Sequence, residues 1–188
     1  MVLSLSTLLC TGAWLPPSPN AARRGGSPTM GILKGISPLL TAELLYVLRS
    51  AGHGDKIAIV DANFPATAIS VDTVQKEPVN LPGASTPEAL DAIAAHLPID
   101  TIVDDGVVVM LPPGDLELPP LGVEVHADGC KALEGTCGPE CAVTTEVRRD
   151  DFYELARDAY CIVQTGERRP YGCFLLTVGM LGPDGKDF

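Results

Sequence analysis

What the sequence lacks narrows its function first. Nowhere in the 188 residues is there a run of the roughly 18–20 apolar residues that a membrane-spanning helix needs. Positive charge is scarce: 13 Lys and Arg stand against 24 Asp and Glu, a formal net charge of −11. Nucleic acid and anionic membrane would both repel such a chain, which argues against either as the main partner. The six cysteines form no C-x-x-C hook, and their irregular spacing in a chain this long is not that of a disulfide scaffold. Neither G-x-G-x-x-G nor G-x-x-x-x-G-K-[ST] occurs, so no motif implies a nucleotide cofactor.

Acids are missing from one region altogether. Residues 1–29 hold no Asp or Glu, but an apolar run through Trp14, a Pro/Ser/Asn stretch and Arg23-Arg24-Gly25-Gly26. An acid-free, Ser-containing, Arg-ended leader has the composition of a transit peptide, and equally of a disordered extension. Met30-Gly31-Ile32-Leu33-Lys34 makes a sensible domain start. The expected organisation is a leader over 1–29 and one domain over 30–188, in the cytoplasm, or in a plastid or mitochondrion if the leader is a transit peptide.

Hydrophobic residues at 46% and charged residues at 20% describe a globular domain with enough chain to bury a core. Leu44, Leu45, Val47 and Leu48 recur at helical spacing after Ser37-Pro38 or Thr41-Ala42, either of which can cap, and Gly52 is the expected stop. Residues 57–60 read as a short buried strand, with His53 before it, Asp61 directly after it and Pro65 preventing its continuation. His53 and Asp61 are therefore candidates for one polar site. Residues 63–71 read as a loop or short strand, and residues 75–85 as turns.

Thr86-Pro87-Glu88 opens a second helix whose Leu90, Ile93, Ala94 and Leu97 share a face; Pro98 ends it and His96 falls off the stripe. Residues 102–110 suggest strand, turn and strand, or one strand interrupted at Asp104-Asp105, where adjacent carboxylates before Gly106 are turn chemistry. Residues 112–143 read as a mobile surface insertion. They carry Cys130, Cys137, Cys141 and His126, a weak spacing for zinc, so no metal is expected. A helix capped by Asp150 or Asp151 buries Phe152, Leu155, Ala156 and Ala159, and strands follow at 161–163 and 174–179. Helices alternating with short strands make an α/β sandwich.

Taken in order, five pieces carry a resemblance: Ile36-Ser37-Pro38-Leu39-Leu40; Gly52-His53-Gly54-Asp55; Asp61-Ala62-Asn63-Phe64-Pro65-Ala66; Phe152-Tyr153-Glu154-Leu155-Ala156; and Thr165-Gly166-Glu167 followed by Tyr171-Gly172. Together they resemble the RbsD/FucU family of sugar mutarotases, and within it the L-fucose branch. The resemblance implies a layered α/β sandwich with a central mixed sheet flanked by helices, assembled into a ring-like homo-oligomer with sites at or near subunit contacts. It implies an isomerase that exchanges the α and β anomers of a monosaccharide, L-fucose first, without a cofactor.

Among residues, the resemblance implies His53 as proton donor and Asp61 as the carboxylate on sugar hydroxyls. Arg149 falls where the fucose branch tends to have Arg and the ribose branch His. Tyr171, Gly172 and Cys173 fall on the sugar-contacting segment, with Cys173 in place of the family's usual Asn. A thiol is a weak donor and acceptor where an amide offers both. A D-ribose pyranase-type activity and a non-catalytic monosaccharide-binding protein on the same fold are the alternative readings.

Overall fold

In the computed structural model, which describes residues 31–142, 145–183 and 185, the strands divide their side chains between two cores. In β1 (Lys56–Val60), Ile57 and Ile59 enter one core, Ala58 and Val60 the other. The same alternation splits Val107 and Val109 from Val108 and Met110 in β3 (Val107–Leu111), and Phe174 and Leu176 from Leu175 in β6 (Phe174–Thr177). Side chains of successive strand residues point to opposite faces, so continuous apolar runs such as these belong to strands covered on both sides.

Six strands form one mixed sheet in the order β2-β5-β1-β6-β3-β4, with β2 at Val79–Leu81, β4 at Thr145–Arg148 and β5 at Cys161–Thr165. β1, β2 and β5 run parallel, as do β3 and β4; β6 is antiparallel to both its neighbours. One face is covered by α1 (Ala42–Ser50), α3 (Thr86–Ala94) and α4 (Pro120–Cys137), through Leu44, Val47, Leu90, Ile93 and Leu133. The other is covered by α2 (Ala66–Ser70) and α5 (Arg149–Arg157), through Ile69, Phe152 and Ala156. Phe152 and Phe174 are fully buried on opposite faces; each contributes roughly 1.5–3 kcal/mol by leaving water. The result is the expected helix-flanked mixed sheet.

Several local expectations change. Thr41 caps α1 through its side chain on the Leu44 N–H, but the helix ends at Ala51 in extended backbone, before Gly52. The stretch 63–71 contains helix α2 rather than a strand, and 75–85 contains β2. α3 is capped by Ser85, one residue before Thr86: its hydroxyl and the Glu88 carboxylate close a reciprocal capping box. α5 starts at Arg149, with Asp150 and Asp151 in its first turn beside the positive helix end rather than capping it.

The largest correction concerns 112–143. Where a mobile insertion was expected, the chain forms the 18-residue helix α4, and its Gly122, Val125, His126, Gly129 and Leu133 make a buried stripe facing α3 and β6. Among the described residues no helix is long and apolar enough to cross a membrane, and no three His, Cys, Asp or Glu side chains group as metal ligands. The leader expected over 1–29 lies outside the described residues.

Candidate functional site

A cleft of about 200 Å³ opens where the parallel strands end, lined by Asp61, Asn63, Phe64, Met110, Arg149, Tyr153, Pro170 and Tyr171. Asp61 follows the last residue of β1, Arg149 the last of β4, and Met110 lies near the end of β3. Crevices beyond the carboxyl ends of strands are where open α/β sheets bind ligands, because loops from several strands converge there. At this size the cleft is smaller than the roughly 300–1,000 Å³ of drug-sized pockets and fits a small molecule.

Asp61 is 3% exposed. Its Oδ1 accepts the Asn63 N–H at 2.9 Å, and the Cys173 Sγ–H donates to Oδ2 at 3.5 Å. Burial raises its pKa above the ordinary carboxylate value; the bonds from Asn63 and Cys173 only partly oppose this. The same burial, with the neighbouring Asp61 charge, pushes the Cys173 thiol well above its usual range. Cys173 is fully buried in the core shared by α2 and α5, so its thiol faces Asp61 from behind rather than lining the cleft. Gly172 is likewise buried beneath it, its carbonyl taking a 2.8 Å bond from the Thr86 hydroxyl.

Arg149, at the first turn of α5, keeps a 41% exposed side chain and pairs with Asp150 at 3.0 Å. Its guanidinium lies 5.9 Å from the centre of the Tyr153 ring. Tyr153, one helical turn further on, is a cleft residue that sequence reasoning missed as a functional group; its i, i+4 spacing from Arg149 was the available signal. Asn63, Phe64, Met110 and Pro170 were missed too.

The loop between β5 and β6 carries Tyr171. Thr165 anchors its start, donating to the Val60 carbonyl at 2.9 Å and meeting the Thr86 hydroxyl at 3.2 Å. Gly166 runs so close to Pro82 and Ala84 that a β-carbon there would strike the Pro82 carbonyl. Glu167, 6% exposed, accepts the backbone N–H groups of Arg168 and Arg169 and pairs with the Arg169 guanidinium at 2.8 Å. Burial opposes its charge, but Arg169 outweighs burial and holds the carboxyl below its usual value. The Thr-Gly-Glu motif thus builds the loop that delivers Tyr171.

His53 is elsewhere. It precedes β1 while Asp61 follows it, and four residue steps of strand between them span about 13 Å. Its imidazole meets the Asp100 carboxylate at 3.0 Å, at the edge where Gly54 bonds Val178 beyond the end of β6. Asp100 is nearly buried and held below the usual carboxylate range first by the Ile102 N–H, then by His53 against the cost of burial. The structure therefore brings Asp61, Arg149 and Tyr171 together and leaves His53, about half exposed, beyond the opposite end of β1. Within one chain, then, His53 and Asp61 stand at opposite ends of β1 rather than side by side.

Comparison with known proteins adds independent evidence. Residues 34–181 match the RbsD / FucU transport protein family. The fucose mutarotase of Danio rerio is 39% identical over 155 residues, spanning 82% of this chain and 98% of that protein. The fucose mutarotase of Homo sapiens is 37% identical over 163 residues, spanning 81% and 96%. The crystal structure of the fucose mutarotase of Streptococcus pneumoniae in complex with L-fucose superposes with a TM-score of 0.69 at 31% identity, covering 80% of this chain and all of that one. Bacillus subtilis RbsD complexed with D-ribose shares the fold, with a TM-score of 0.57 at 20% identity. With the family matched from the first described helix to beyond the last strand and these relatives covered almost end to end, the chain belongs to the RbsD/FucU family.

Proposed function

We propose that this protein is a fucose mutarotase, an isomerase that interconverts the α and β anomers of L-fucose at the cleft beyond β1, β3 and β4. The observation that carries the reading is the convergence of Asp61, Arg149 and Tyr171, from three separate segments, on one small cleft, in a chain 31% identical to a protein solved with L-fucose.

Mutarotation opens and recloses the sugar ring. One proton goes to the ring oxygen and one leaves the anomeric hydroxyl; the ring C–O bond breaks to give the open-chain aldehyde and re-forms on its other face. Positioned acid and base groups typically accelerate such transfers by about 10²–10⁴-fold. Asp61 accepts from vicinal hydroxyls, Arg149 offers a fixed fork of donors, and Tyr171 and Tyr153 offer hydroxyls and ring faces to a sugar. No redox or electrophilic step is needed, so the reaction calls for no cofactor.

His53 is the proton donor in this reading. It acts on the cleft of a neighbouring copy, since its own cleft lies across the sheet, and the ring-like homo-oligomer implied by the family resemblance supplies that neighbour. Arg149, where the ribose branch tends to have His, favours L-fucose over D-ribose.

Saturation-transfer NMR of anomer exchange tests this, with L-fucose, D-ribose and D-galactose in parallel and the full chain beside its His53→Ala and Arg149→Ala variants. Exchange above the buffer rate that is fastest for L-fucose and lost in His53→Ala is the expected result. A folded wild-type protein that accelerates none of the sugars would overturn the assignment and leave a monosaccharide-binding protein.

A further inference from the structure

Outside the cleft, α4 carries a buried histidine that the reaction described above does not use. His126 is 9% exposed; its Nε2 lies 2.8 Å from the Tyr171 carbonyl oxygen, and its ring packs edge-on against Phe174 with centres 5.7 Å apart. A carbonyl can only accept, so Nε2 carries the hydrogen. Burial pushes its pKa below the ordinary histidine value, which favours the neutral ring.

The carbonyl it holds belongs to a residue in an unfavourable conformation. Tyr171 has φ 63°, and besides Lys76 it is the only non-glycine with positive φ among the described residues. The left-handed region crowds a β-carbon against the next carbonyl, and a bulky side chain stays there only when its surroundings hold it. Two bonds do so: His126 takes the Tyr171 carbonyl and the Thr86 hydroxyl takes the next one, on Gly172. Gly172 has no room to adjust, since a β-carbon on it would lie 3.0 Å from Glu167 and 3.2 Å from Val125.

We propose that His126 is a positioning residue for the cleft: its hydrogen bond to the Tyr171 carbonyl fixes the left-handed backbone from which the Tyr171 ring lines the sugar site. Helix α4 thereby sets the geometry of a cleft it does not line. The inference rests on the assignment of Tyr171 to sugar contact, and its structural half stands apart from that assignment.

The experiment pairs His126→Phe, which keeps a ring against Phe174 and removes the donor, with His126→Gln, whose amide nitrogen restores a donor at similar reach. Protein labelled with ¹³C-tyrosine, with the Tyr171 signals assigned through a Tyr171→Phe variant, reports the ring directly. In His126→Phe the Tyr171 signals shift and broaden while those of Tyr46, exposed on α1, stay in place; His126→Gln restores them. KM for L-fucose rises about fivefold in His126→Phe, the scale of one neutral hydrogen bond, and recovers to within about twofold in His126→Gln. The rise disappears in a Tyr171→Ala background, because a residue acting through Tyr171 has nothing left to act on.

Unchanged Tyr171 signals in a folded His126→Phe protein would overturn the proposal, as would a KM effect of equal size in the Tyr171→Ala background. If His126→Phe does not fold, His126→Asn, whose shorter amide falls short of the carbonyl, carries the same readouts. If wild-type protein exchanges no sugar, the Tyr171 signals still decide whether His126 sets the loop, so the two failures are told apart.

Discussion

Asp61 sits at the carboxyl end of β1 with its carboxylate out of water, and the Asn63 N–H, the Cys173 thiol and the backbone of Phe64 and Tyr171 compensate that burial only in part. A folded-state pKa raised by burial has a definite sign in stability. Below the unfolded value near 3.9 the group is protonated in both states and the burial cost is absent. As pH rises through the raised folded value the native state must ionise a buried group, and stability falls. Asp61→Asn keeps an acceptor for the Asn63 N–H and removes the charge. The variant is expected to melt above wild type at pH 7, by about 2–4 °C per kcal/mol recovered, with the difference shrinking toward pH 4. Melting curves of both proteins across that range check it, and a variant that melts lower at pH 7 would contradict it. Asp100, Glu88 and Glu167, whose carboxyls are held low, contribute in the opposite sense but equally to both proteins. Anomer exchange in the same variant should fall at least about tenfold, the scale of a hydrogen bond to a charged group, so this carboxylate costs stability where it serves function.

At the scale of elements, α4 shows how packing overrides local preference. Its buried stripe falls at helical spacing but consists of Gly122, Val125, His126, Gly129 and Leu133, and each interior glycine costs a helix about 1 kcal/mol relative to Ala. Gly129 is there because a β-carbon would strike the Phe174 ring and come within 3.1 Å of Leu90. Gly129→Ala therefore gains propensity and loses fit, and overpacking wins: the variant is expected to be about 1–3 kcal/mol less stable in urea unfolding, whereas Gly135→Ala, with open space around it, should be neutral or stabilising.

The same stripe explains what the sequence hid. Periodicity is read from large apolar side chains, and α4 is small and polar on its inner face, so it passed for an insertion; α2 and β2 were too short to show any period. β1, α1, α3 and α5 were legible because Ile57, Val47, Leu90 and Phe152 carry their bulk at the right spacing. The cleft was legible at Asp61, which follows directly on its strand; Arg149 and Tyr171 came from the family resemblance, since no strand was expected before Arg149, where β4 lies. Tyr153 and Met110 lie on elements whose facing depends on the sheet order, which no local pattern encodes.

At the scale of the whole molecule, the geometry of β1 decides how the activity must be built. The strand that puts Asp61 into the cleft at one end leaves His53 beyond the other, paired with Asp100, and no side-chain rotation recovers about 13 Å. If His53 serves the cleft, it serves a neighbour's, and each site draws its histidine from one copy and its arginine from another. Two inactive variants then cure one another: co-expressed with His53→Ala, the Arg149→Ala chain lends an intact His53 to a cleft whose Arg149 is also intact. With equal amounts mixing at random, half the clefts carry Arg149 and half of those receive His53, so exchange returns to about one quarter of wild type in a closed homo-oligomer. Mixing the purified variants without unfolding should recover it only as fast as subunits trade places. A co-expressed mixture that assembles but stays inactive would mean that His53 does not reach the sugar from a neighbour, and the proton donor would then have to be sought among the residues that line the cleft itself.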